Sequence, residues 1–185
     1  MEHQNLKCKC LDFNFMGKII ITGPTCSGKS ALKRKFISVG YKPIIQFTTR
    51  EIREGEFDGF DYDFLTETGY SLLRNCIIGL VANHRYENGT AYGITEARWE
   101  SGDVLAVGAK ELFQLGPDIL NNSLVIYLDI DRNILRERLI KRGDSDSEAE
   151  RRLQTDKEDY ENFDLWDIRI TDPKNFKIWQ NLLKN

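Results

Sequence analysis

Residues 18–30 read KIIITGPTCSGKS. A β-branched apolar run leads into G-x-x-x-x-G-K-S, and a helical pattern follows it. Nothing else in the chain restricts its folding so tightly. In such a loop successive backbone N–H groups turn inward around a phosphate, and the following helix adds partial positive charge at its N-terminus. The loop therefore requires a strand before it and a helix after it. Lys18–Thr22 reads as the buried strand, and Ser27–Ser38 as the helix, with Ala31, Leu32 and Phe36 at helical spacing and Gly40 as its stop. Gly23, Pro24, Thr25, Cys26, Ser27, Gly28, Lys29 and Ser30 are expected to enclose the phosphates of a nucleoside triphosphate. The two glycines permit the tight path, and Pro24 removes only one donor. Lys29 would reach the β- and γ-phosphates, and the Ser30 hydroxyl would face Mg²⁺ carried with ATP. Cys26 reads as a small tolerated side chain.

The bulk properties limit what else the chain does. With 185 residues, 41% hydrophobic and 30% charged, one domain with a three-layer core is expected. A net charge of −3 gives no overall pull towards nucleic acid or an anionic membrane, so any anion site is built locally. No apolar run is long enough to span a bilayer, and MEHQNLKCKCLDFNFMGK lacks the apolar stretch of a secretion signal. A cytoplasmic protein with free thiols is the expectation. Cys8 and Cys10 form a lone C-x-C, and His3 and His84 are the only histidines, too few ligands for a zinc site.

Short apolar runs alternate with helical stretches. Ile44–Thr48, Cys76–Ala82, Val104–Val107, Leu124–Leu128 and Ile168–Thr171 read as further strands. Tyr70–Arg74, Ala109–Leu115, Arg132–Lys141, Ser147–Tyr160 and Asn175–Leu183 read as helices, with Gly143 after the third. Asn88-Gly89 reads as a turn. This alternation predicts an α/β fold with a mostly parallel sheet. Residues from about 48 to 95 break the rhythm and read as an insertion with short strands of its own.

That insertion opens with TTREIREGEFDGFDYDF, residues 48–64. Two guanidinium groups in a loop can neutralise and orient a doubly charged phosphate that a donor γ-phosphate would otherwise repel, and a tyrosine hydroxyl adds a donor without charge. The acids around them would order the loop and offset its arginines. The run resembles the acceptor-binding region of guanylate kinases, with Thr49, Arg50, Arg53, Gly55, Glu56, Asp58, Gly59, Asp61, Tyr62 and Phe64 on that family's pattern. The resemblance extends, with gaps, from about residue 17 to the C-terminus.

It implies a P-loop core over about 17–47, 96–135 and 165–185, an inserted subdomain for a nucleoside monophosphate over about 48–95, and a helical lid over about 136–162. Arg50, Arg53 and Tyr62 would grip the acceptor phosphate. Arg138, Arg142 and Arg152 fall on lid positions that close over ATP, excluding water from the transfer. ATP with Mg²⁺ and a nucleoside monophosphate would be the ligands of a monomer or homodimer. The base end departs from the pattern: Gln46 stands where the family has serine, Asn83 where it has the guanine-binding glutamate, and Ile94 follows Tyr92-Gly93 where the family has a hydroxyl residue. Losing a charged hydrogen bond costs about 1.5–3 kcal/mol, so base selectivity is expected to weaken or be redirected. Leu105-Ala106-Val107-Gly108 replaces an acidic L-D-I-D, which leaves the acid beside Mg²⁺ open; Asp129 and Asp131 are substitutes, or Ser30, phosphates and water suffice. The implied activity is phosphate transfer from ATP to GMP or dGMP. The alternatives are another monophosphate, ribose 1,5-bisphosphate, or a non-catalytic protein-binding module of the same family.

Overall fold

The computed structural model describes residues 17–75 and 79–172. His3, Cys8, Cys10, the start of the strand expected over Cys76–Ala82 and the helix expected over Asn175–Leu183 lie outside the described residues. The strands are β1 (Lys18–Thr22), β2 (Phe47–Thr48), β3 (Asp63–Phe64), β4 (Leu80–Arg85), β5 (Ala91–Thr95), β6 (Val104–Val107), β7 (Ser123–Leu128) and β8 (Ile168–Ile170). The helices are α1 (Lys29–Ser38), α2 (Glu67–Asn75), α3 (Glu96–Ser101), α4 (Ala109–Leu112), α5 (Gly116–Asn121), α6 (Arg132–Arg142) and α7 (Asp146–Asp159).

One sheet runs β6-β1-β7-β8, with every pair parallel. Both its faces are covered, which is why β1 and β7 are apolar at nearly every position. Alternate side chains divide between the faces. Ile19, Ile21, Leu124, Ile126 and Leu128 meet Leu32 and Phe36 of α1, Leu135 and Leu139 of α6, and Leu153 of α7. Ile20 and Val125 meet Leu105, Leu112 and Trp99 on the other side. Ile20, Ile21 and Ile126 are fully buried, and each such side chain contributes about 1.5–3 kcal/mol. The C-terminal ends of β1 and β6 thus open on the same edge, where the phosphate loop begins.

A second sheet, β3-β2-β5-β4, is mixed. Its hairpin β4–β5 closes at the expected Asn88-Gly89 turn, where Tyr86 N–H donates to Thr90 O at 2.9 Å. Ile44–Thr48 is not one strand. Ile44 N–H donates to Val104 O at 2.8 Å beside the main sheet, and only Phe47–Thr48 forms a strand, in the second sheet. The segment is apolar throughout because it crosses from one core to the next. The helix expected over Ala109–Leu115 stops at Leu112, and α5 begins at Gly116 with Pro117 in its first turn. Strand β5 and helix α3 were not legible: Gly93 interrupts the apolar run, and α3 is six residues long.

Helix α6 follows an Asp131 cap whose side chain accepts from Asn133 N–H, and it ends at Gly143, φ 101°. Helix α7 restarts at once, with Ser145 accepting from Glu148 N–H. Leu139, Ala149 and Leu153 pin this pair to the sheet, so its free face lies beside the phosphate loop. Among the described residues no helix is long and apolar enough to cross a membrane.

Candidate active site

The loop after β1 is held from three sides. Gly23 has φ 149°, and a Cβ there would meet Leu128 O at 2.6 Å, so no larger residue fits. Arg138 of α6 donates to Cys26 O at 2.9 Å and to Ser27 O at 3.1 Å. Two residues at the end of α7 brace the opposite flank. Tyr160 OH accepts from Gly23 N–H at 2.8 Å and shares a hydrogen bond with the Thr22 hydroxyl, also at 2.8 Å. Asp156 accepts from Thr25 N–H at 2.8 Å. Tyr160 stacks on Tyr127, with ring centroids 5.3 Å apart, and burial pushes its phenol well above the usual range, so it acts as a neutral hydroxyl. Neither Asp156 nor Tyr160 stood out in the sequence; they lie over 130 residues from the loop and carry no motif of their own.

Lys29 folds back on its own loop, donating to Gly23 O at 2.6 Å and Pro24 O at 2.8 Å. Burial lowers its pKa, and the Asp156 and Glu111 carboxylates oppose that shift. Ser30 is exposed at the first turn of α1. Beside the loop an apolar cavity of about 370 Å³ is lined by Cys26, Gly28, Ala31, Leu128, Ile130 and Arg138.

A second cavity, of about 220 Å³, lies between α1 and the 48–64 stretch. Ser30 and Lys33 line one wall, and Gln46, Arg50, Arg53 and Tyr62 line the other. Arg50 makes a two-pronged contact with Glu56, at 2.7 and 2.6 Å, and its guanidinium lies 4.8 Å from the Tyr62 ring centroid. Glu56 also accepts from Arg53 N–H at 2.9 Å. Asp58 and Asp61 accept from the backbone N–H groups of Phe64 and Phe57, so these acids order the loop. Burial first, then the fields of Arg50 and Arg142, lower the Arg53 pKa. Burial, then Tyr92, raises the Tyr62 pKa to about 12, which keeps it a hydrogen-bond donor at neutral pH.

The arginines at the α6–α7 junction are engaged with acids. Asp144 takes both Arg142 Nε and NH2, at 2.7 and 2.8 Å, and has Arg152 Nε at 3.2 Å. Arg152 also pairs with Glu148 at 2.9 Å. At the base end the expected residues part company. Gln46 is buried and reaches the cleft. Tyr92 stands edge-on to Tyr62, with centroids 5.9 Å apart. Asn83 turns its amide oxygen to Tyr70 OH at 3.0 Å. Ile94 is fully buried among Ile20, Trp99 and Leu105, in the core and not on the cleft, because its β-branched side chain falls on the inward face of β5.

Asp129 and Asp131, the substitutes considered for the missing acid, are both engaged elsewhere. Asp129 is gripped by the Arg169 guanidinium, and Asp131 caps α6. Among the described residues no group of three His, Cys, Asp or Glu side chains could hold a metal ion. A cation bound by the Ser30 hydroxyl, the phosphates of a nucleotide and water needs no such group, and the exposed Ser30 at the cleft fits that arrangement.

No family model matches the chain. Its sequence is 32% identical over 146 residues to a guanylate kinase of Chlorobium luteolum, covering 71% of this chain and 70% of that protein. Its fold is similar to the crystal structure of guanylate kinase from Anaplasma phagocytophilum, with a TM-score of 0.66 over 91% of this chain and 85% of that one. At 18% identity the second likeness concerns the fold alone.

Proposed function

The chain belongs to the guanylate kinase family, and on that premise we propose that it transfers the γ-phosphate of ATP to a nucleoside monophosphate, with GMP or dGMP as the acceptor. One observation carries the reading: Ser30 of the phosphate loop and Arg50, Arg53 and Tyr62 of the insertion line a single cavity. Two phosphorylated ligands would meet there end to end.

In this reading the main-chain amides of residues 23–30 and the Lys29 ammonium hold the donor phosphates, once Lys29 leaves the carbonyls of Gly23 and Pro24. Arg50 and Arg53 hold the acceptor phosphate, and Tyr62 donates to it. An oxygen of that phosphate attacks the γ-phosphorus, the bond from the γ-phosphorus to the β–γ bridging oxygen breaks, and ADP leaves. The acceptor oxygen is already ionised at neutral pH, so no general base is required, and the rate comes from alignment and charge stabilisation. Mg²⁺ bound with ATP would neutralise the donor phosphates, and the Ser30 hydroxyl would contact it. Arg138, Arg142 and Arg152 would screen the charge that develops as the lid closes. The apolar cavity beside Arg138 would take the adenine.

A panel of nucleoside and deoxynucleoside monophosphates with ATP, in an assay coupled to ADP release, tests the proposal. Turnover with GMP or dGMP is expected, and Lys29→Ala is expected to abolish it. No turnover with any monophosphate, in folded protein that binds ATP, would overturn it. Phosphorylation of ribose 1,5-bisphosphate alone, or tight peptide binding without ATP affinity, would replace it with the sugar-kinase or protein-binding reading.

A further inference from the structure

Glu111 is the buried carboxylate that the reaction so far leaves unused. It lies on α4, one turn beyond the end of β6, and only 3% of its surface is exposed. Its Oε1 accepts from Tyr86 OH at 2.9 Å. Its Oε2 is buried with no hydrogen-bond partner among the described residues. An ionisable oxygen left alone in the interior is costly, and such groups mark sites where the charge itself is used. Glu111 lies within electrostatic reach of Lys29 and Tyr160 on the donor side and of Tyr62 on the acceptor side. It also occupies a particular volume: a Cβ built on Gly108 would meet Glu111 Oε2 at 2.7 Å. Gly108 has φ −79° and ψ 175°, ordinary extended backbone open to any residue. A side chain at 108 and the Glu111 carboxylate are therefore alternatives for one space.

We propose that Glu111 is a positioning residue for the phosphate transfer, supplying from α4 a negative charge at the end of β6, in the space that Gly108 leaves free. Its charge acts on the Lys29 ammonium, which the Gly23 and Pro24 carbonyls hold at 2.6 and 2.8 Å, and biases where that cation settles once it leaves them. Tyr86 fixes the carboxylate from the hairpin of the second sheet, so the charge keeps its place relative to both halves of the site.

The inference rests on the kinase reading, and the test separates the two. The full-length wild type, Glu111→Gln, and the paired variant Glu111→Ala with Gly108→Asp are compared for turnover and, by calorimetry without any acceptor, for ADP affinity. Glu111→Gln removes a negative charge near bound phosphates. It is expected to bind ADP at least as tightly as wild type while kcat falls about tenfold. The paired variant, with its carboxylate moved to 108, is expected to recover kcat to within about threefold of wild type. A kcat unchanged in Glu111→Gln, or ADP affinity and kcat falling together, would overturn the assignment. Should Glu111→Gln not fold, the paired variant decides alone, and a folded paired variant with kcat down tenfold or more rejects the idea. A wild type that turns over no monophosphate rejects the kinase reading instead, and ADP affinity in the variants still reports on the charge.

Discussion

Replacing Tyr160 by phenylalanine isolates what the end of α7 does for the phosphate loop. The ring contacts remain available to phenylalanine: the stack on Tyr127 at 5.3 Å and the edge contact with Phe163, also 5.3 Å. Only the hydroxyl is lost, and with it two hydrogen bonds of 2.8 Å. Thr22 is fully buried, and Gly23 N–H faces the lost oxygen, so one buried hydroxyl and one buried amide lose their partner. Each net hydrogen bond is worth about 0.5–1.5 kcal/mol, which gives about 1–3 kcal/mol for the pair. In a chain of this length each kcal/mol lowers Tm by about 2–4 °C. Urea unfolding should show the midpoint falling with an unchanged slope, and ADP affinity should fall with it, because the residue that starts the loop is no longer fixed. A Tyr160→Phe protein with the wild-type urea midpoint and ADP affinity would refute the bracing argument.

Arg50→Lys keeps the charge and loses the fork that meets a phosphate or Glu56 with two bonds. Acceptor KM should rise about 10- to 150-fold with ATP binding unchanged, measured by initial rates at varied acceptor. Lys33 is half-buried in the wall of the second cavity, and burial lowers its pKa from 10.5 to about 8, with Asp61 opposing the shift. Between those two values the unfolded chain binds the proton and the folded one does not, so Lys33 adds stability as pH rises from about 8 to 10.5. Over that window wild type should gain on Lys33→Met in urea midpoint, and parallel curves would refute the assignment. Leu139→Ala opens a hole under α6 at a fully buried position and should cost about 2–5 kcal/mol by the same assay.

What was legible in the sequence was local. GPTCSGKS announced the loop because its strand, glycines, lysine and helix are contiguous, and the 48–64 stretch announced an acid-ordered loop because its arginines and its ordering acids lie within one run. The parallel sheet followed from apolar strands spaced by helices. What stayed hidden was brought together only by folding. Asp156 and Tyr160 reach the loop from the far end of the chain. Glu111 fills space that Gly108 leaves free, a relation that requires the turn between β6 and α4. Ile94 was misplaced because its neighbours Tyr92 and Gly93 fit a motif, whereas strand alternation sends its side chain inward. Asp129 and Asp131 looked available until their partners, Arg169 and the α6 backbone, were seen.

The acids already sitting on the site's arginines alter what ligand binding means. Arg50 rests on Glu56, and Arg142 and Arg152 rest on Asp144, so under the proposed function an arriving phosphate would displace a carboxylate from each cation and not meet it bare. Binding becomes an exchange of one anion for another, with less net charge neutralised. In the proposed transfer the same carboxylates would take the cations back afterwards, giving the spent ligands an exit that a cleft of uncompensated arginines would withhold.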